Sequence, residues 1–303
     1  MANAVAVGTT TNLGAGSGFT AAQAVTRALR RLDDITYEDS SSTDPSTSTT
    51  AFTVASDATE RYEVGDTIDW TANGTFEAAT VSAVASTTLT VLRAAYGTTA
   101  GDHAANAVFR RNPRFLSHVV NEAVTEALNS LWPDIFVMRE TTYTVSSTTG
   151  NYFELESATE EVLGAYQVAG TSPDSVIYPT RHGSRPARVH TGFATSGLYT
   201  TVEGYDSTAT TLRILTSRQP TISLLTSAQQ DLVIYEACAN LIEEFSHRPK
   251  VEGDKDVFNE AQKVQIFRGK ARELRSKERQ RLQNFEPERY RLTYRHGHHY
   301  SAV

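Results

Sequence analysis

The hydrophobic residues of this chain recur at a period near 3.6 in some stretches and near 2 in others, and the two regimes alternate along its length. Helical stretches and strand stretches therefore interleave, which excludes an all-helical or all-β molecule and predicts an α+β fold. The clearest stripe is Leu116, Val119, Val120, Ala123, Val124, Ala127, Leu128 and Leu131, a continuous apolar face closed by Trp132-Pro133. An earlier helix starts after Thr20, a natural N-cap, with Ala21, Ala24, Val25, Ala28, Leu29 and Leu32 at three- and four-residue spacing. A third runs from Ser227, with Gln230 three places on as a capping box, to about His247. It is apolar over much of its circumference, as a helix central to a bundle must be. A last helix, from about Glu252 to Asn284, has core spacing in its first half and is almost wholly polar from Arg275 to Gln283.

Between the first two helices, residues 40–50 are nearly all Ser, Thr, Asp and Pro, a linker composition that buries little apolar surface. A compact β unit follows. Thr67-Ile68-Asp69-Trp70 leads to Asn73-Gly74, a strong short hairpin signal, and then to Phe76–Val84 and Thr88–Leu92. From Arg139 to about Thr226 the period is two. Strands are expected at 142–146, 152–156, 162–169, 176–178, 187–193, 198–203 and 211–216, an antiparallel sheet or sandwich.

The expected organisation is a flexible N-terminal arm at 1–19 and a helical core at 20–49 and 113–138 that interrupts for a small inserted β-barrel at 50–112. An antiparallel β domain at 139–226, the second part of the helical core at 227–285 and an extended basic C-terminal tail at 286–303 complete it. The fold so expected is a helical bundle with a long C-terminal helix, a small inserted β-barrel and an antiparallel β domain.

Net charge is −7, unevenly spread. From Arg268 to His296 ten Lys and Arg face four Glu, a surplus of +6 that leaves −13 on the rest of the chain. An acidic body with a basic tail suits self-repulsion and solubility in the body and an acidic partner for the tail, and it argues against general nucleic-acid binding. No run reaches the roughly 18 apolar residues of a membrane span. The segment Met1 to Gly18 lacks the basic start and apolar middle of a signal peptide, so a reducing, cytosol-like compartment is expected. The single cysteine, Cys238, sits among apolar residues and reads as a small hydrophobe rather than a nucleophile.

Motifs for chemistry are weak. His296, His298 and His299 are close together but have no neighbouring carboxylate or cysteine to complete a metal site. The Gly14–Gly18 run has neither a preceding strand nor a following GK[ST]. No G-x-S-x-G is present, and the pairs Glu160-Glu161 and Glu243-Glu244 point apart on any strand or helix. No catalytic residue, cofactor or metal is expected, and the chain reads as a non-enzyme.

One phrase carries a resemblance. Thr90-Val91-Leu92-Arg93-Ala94-Ala95-Tyr96-Gly97-Thr98, followed by His103, resembles the T-V-x-R-G-x-x-G-T-x-x-x-x-H pattern common in phage neck and tail proteins, with Ala94 in place of the usual Gly. Gly97 permits a left-handed turn and His103 offers a side-chain hydrogen bond to pin the returning loop. The helical frame at 20–37, 114–132 and 228–284 around an inserted β unit resembles head-to-tail adaptors of tailed bacteriophages. That resemblance implies a virion protein assembled in the host cytoplasm, a dodecameric ring of identical subunits between the portal protein and a downstream neck, stopper or tail protein. Viral DNA passes through the ring without specific binding, and no membrane is involved. It also implies portal docking by the tail, through Arg289, Tyr290, Arg291, Tyr294 and Arg295, and a loop role in the inserted unit for Arg93, Gly97 and His103. Two other readings stay open at this point. One is a tail-associated or receptor-contacting β protein; the other is a virion-associated glycan hydrolase, because carboxylate separation is a tertiary property.

Overall fold

In the computed structural model the described residues are 5–13, 18–32, 38–43, 45–46, 48–54, 57–70, 76–146, 149–168, 176–177, 190–192, 195–202, 211–246 and 256–285. The chain divides into two compact units, one of Ser17–Leu131 with Ser227–Leu274, the other of Met1–Gly16 and Trp132–Thr226 with Arg275–Val303.

The first unit joins helices to a curled sheet. Helix α1 (Ala21–Arg31) is capped by Thr20, whose hydroxyl accepts from the Gln23 N–H while the Gln23 side chain accepts from the Thr20 N–H. It packs with α2 (Ser117–Ser130) and α3 (Ser227–Ser246). Their meeting faces bury Ala24, Ala28, Val120, Ala127, Leu232 and Ala237. In α3, Leu232, Val233, Ile234, Ala237, Cys238, Ala239 and Leu241 are all buried, so this helix is covered on nearly every side. The sheet runs β2 (Glu38–Ser40), β7 (Val108–Arg111), β4 (Thr67–Trp70), β5 (Glu77–Ala85), β6 (Thr88–Ala95) and β3 (Ala51–Thr53) in spatial order, antiparallel throughout. Its concave side holds Phe52, Ile68, Trp70, Leu89, Val91 and Phe109, with the Phe52 ring edge-on to Trp70 at 5.4 Å and to Phe109 at 5.7 Å.

The second unit is a pair of facing sheets. One runs β1 (Thr9–Leu13), β8 (Val137–Thr144), β14 (Thr211–Arg218), β10 (Glu161–Val168) and β11 (Val176–Ile177); the other runs β12 (His190–Thr191), β13 (Leu198–Thr201) and β9 (Tyr152–Leu155). Tyr143, Phe153, Leu155, Val162, Leu212 and Ile214 form the core between them.

The expected helical bundle is corrected. The molecule is α+β and mostly β-rich, with antiparallel sheets carrying both large aromatic cores. The reason lies in α4 (Asp256–Phe285): it is long, as expected, but its described buried apolar residues are only Val264, Phe267 and Ala271. A helix with so narrow an apolar face cannot serve as a bundle member packed on two sides. The expected closed barrel is an open, curled half-barrel. Its edge strands β2 and β3 are three residues each, and the edges meet just past them, at the Ser41–Val54 bridge and where the Ser42 N–H donates to the Thr53 carbonyl. The β domain expected at 139–226 as an antiparallel sheet or sandwich consists of two sheets, and it recruits Thr9–Leu13 from the segment expected as an arm.

Candidate functional site

The segment from Thr90 to His103 folds into a buried clasp. Between β5 and β6 the register slips, so that Arg93 and Ala94 together oppose Ala79. Such a bulge re-aims the side chain it carries. Ala94 takes φ +56, the conformation for which glycine is the usual residue, and Tyr96 and Gly97 follow at φ +54 and +80. Arg93 turns inward onto Glu77, which is fully buried at the start of β5. The contact is bidentate, Nε to Oε1 at 2.5 Å and Nη2 to Oε2 at 2.6 Å. The remaining guanidinium N–H groups donate to the carbonyls of Ser46, Thr49 and Gly101, tying the segment before β3 and the returning loop to one point.

His103 completes the clasp. Its Nε2 lies 2.9 Å from Glu77 Oε2, its ring stacks on Trp70 at 4.7 Å, and its backbone N–H donates to the Pro45 carbonyl. The N–H groups of Gly101 and Ala94 also donate to Glu77. Burial pushes the Glu77 carboxyl up, but the hydrogen bonds from Arg93, His103, Gly101 and Ala94 outweigh it and hold the group down at about 2. With five donors around it, this carboxylate has spent its acceptor capacity inside the fold. It closes a loop rather than acting on a ligand.

A second buried charge orients α2. Asp69 in β4 accepts from the Ser117 N–H at 3.1 Å, the Ser117 hydroxyl at 2.7 Å and the Arg110 Nη2 at 2.5 Å. The residue preceding the helix, Leu116, has no capping side chain, so a strand residue 48 positions earlier supplies the cap. Burial pushes the Asp69 carboxyl up despite Arg110.

Beside this joint lies an open groove of about 480 Å³. Its walls include Tyr96 from the clasp loop, Asn112, Arg114, His118 and Phe245. Tyr96 is 56% exposed and its hydroxyl meets Thr67 Oγ1 at 3.0 Å, so the loop that the clasp closes presents an aromatic ring at the groove's edge.

Of the residues singled out in the sequence, Arg93 and His103 meet at Glu77 in the clasp, and Gly97 lies in the loop between them at φ +80. Arg289, Tyr290, Arg291, Tyr294 and Arg295 lie outside the described residues, as do His296, His298 and His299. Among the described residues no group of three His, Cys, Asp or Glu is placed to hold a metal ion, and no helix is long and apolar enough to cross a membrane. Cys238 is buried, with its thiol pushed up to about 12 by that burial. Sequence reasoning missed Glu77 and Asp69. Glu77 shares the parity of the core residues Ala79 and Val81, which is a signal, whereas Asp69 between Ile68 and Trp70 reads as a solvent-facing position. Searches against protein-family models, curated proteins and solved structures give no match for this chain.

Proposed function

We propose that the chain is a structural protein of a tailed-phage virion, a head-to-tail adaptor that forms a dodecameric ring between the portal and the next neck or tail protein. The observation that carries this reading is the clasp. The residues of the phage-like phrase, Arg93 and His103, converge on one buried carboxylate and shape a loop in a half-barrel inserted between α1 and α2.

Charge distribution adds to it. A body with a surplus of acids lines a DNA channel without holding phosphates back, whereas the segment from Arg268 to His296, with its surplus of Lys and Arg, suits an acidic partner surface. Subunits in a ring meet head-to-tail, so each needs two different faces. The outward side of α2, with Glu122, Thr125 and Glu126 exposed, supplies one candidate face.

The test is co-sedimentation with the cognate portal for the full chain and for a chain truncated after Phe285. Binding by the full chain that is lost on truncation supports the adaptor reading, and binding by neither form contradicts it. A second reading gains from the β-rich fold: a tail-associated or receptor-contacting protein, which predicts a stable trimer or hexamer that ignores the portal.

A further inference from the structure

The five-stranded sheet carries a polar patch that the adaptor reading does not use. Along one face, Tyr143 and Thr141 of β8 and Leu212 and Ile214 of β14 alternate toward the core, and the same alternation brings Arg139, Thr216 and Arg218 onto that face. The register places Asn12, Arg139 and Thr216 in one row across β1, β8 and β14. Arg218 stands opposite Val137, diagonal to Arg139, roughly 7–8 Å away along the sheet and within reach of a long side chain.

The two arginines are short of partners. Arg139 is only 6% exposed, yet its Nε has no hydrogen-bond partner. Its Nη1 makes an ion pair with Glu156, whose side chain is 41% exposed. The Nε of Arg218 is buried and equally without a partner. Burial, and then the like charge of Arg218, lowers the Arg139 pKa from its ordinary value. Among the described residues, two guanidinium groups against one half-exposed carboxylate leave a surplus of positive charge at this end of the sheet, and Arg139 carries its share while buried. Such an arrangement is costly unless an anion fills it.

We propose that Arg139 and Arg218 form a binding site for a phosphate-type oxyanion. A carboxylate is planar and matches the fork of a single guanidinium, and Glu156 reaches Arg139 alone. A tetrahedral anion directs its oxygens out of one plane and bridges donors that come from two strands. The site lies wholly within the second unit and is independent of the adaptor reading.

The test is isothermal titration of the full chain with inorganic phosphate and sulfate at constant ionic strength, with chloride as the control, for the wild type, Arg218→Gln and Arg218→Lys. The expected result is one site for the tetrahedral anions, weakened by on the order of tenfold in Arg218→Gln and less in Arg218→Lys. Without phosphate, Arg218→Gln melts no lower than the wild type, because it removes a like charge from beside Arg139. A short single-stranded oligonucleotide that displaces phosphate identifies a nucleic-acid backbone as the source of the group; failure to displace it identifies the free ion. Equal phosphate binding by the wild type and Arg218→Gln, or no binding beyond that of chloride, overturns the site.

Discussion

Glu77 is the residue at which this chain commits a charge to its interior, and the acid response of the protein follows from it. A carboxyl held at about 2 in the folded chain and near 4.5 when unfolded stabilises the fold fully above the unfolded value. That contribution, on the order of 3 kcal/mol, is lost as pH falls from about 4.5 toward 2. Chemical denaturation across that range should therefore show a steep acid loss in the wild type and a shallower one in Glu77→Gln. Glu77→Gln is itself less stable at neutral pH by about 3–5 kcal/mol, because it strands the buried Arg93. Equal acid slopes in the two proteins would remove Glu77 from the centre of the clasp. Ala94 makes the complementary case. At φ +56 its Cβ is strained, so Ala94→Gly should raise stability by about 1 kcal/mol, read as an increase in melting temperature. The sequence pointed to this position because glycine is usual there, but it offered no sign that Arg93 and His103 share Glu77. That convergence depends on a bulge, and a bulge is set by pairing rather than by composition.

Among the elements, two joints are made by acids on non-helical segments. Asp69 caps α2 from β4, and its replacement by Ala should cost about 2–4 kcal/mol, since it leaves Arg110 and the Ser117 N–H without their acceptor. Asp134, just past α2, accepts from Arg275 and from Arg279 and so holds the last turns of α4. Burial acts to raise its carboxyl, but the two arginines prevail and keep it below the ordinary range. Asp134→Ala should speed amide exchange across 275–285 several-fold while leaving 260–271 unchanged; uniform exchange along α4 would contradict the joint. The elements themselves were largely legible. The stripe at 116–131 became Ser117–Ser130, and the strands expected at 152–156, 162–169 and 211–216 appear at Tyr152–Leu155, Glu161–Val168 and Thr211–Arg218. Thr9–Leu13 was illegible because a run of threonines on an edge strand has no apolar alternation to read.

At the scale of the molecule, periodicity counted the helices correctly and still misjudged what organises the fold. A period of 3.6 reports one buried face of a helix, not which element buries it, so four helical patterns read as a bundle. The aromatic residues Phe52, Trp70, Phe109, Tyr143 and Phe153, all on or beside strands, mark where the cores lie. The adaptor reading is a statement about assembly, and assembly has a mass. Mass photometry of the full chain, alone and mixed with the cognate portal, measures it directly. The account predicts a ring of twelve copies, or a monomer that joins the portal as twelve. A stable trimer that leaves the portal unoccupied would contradict it.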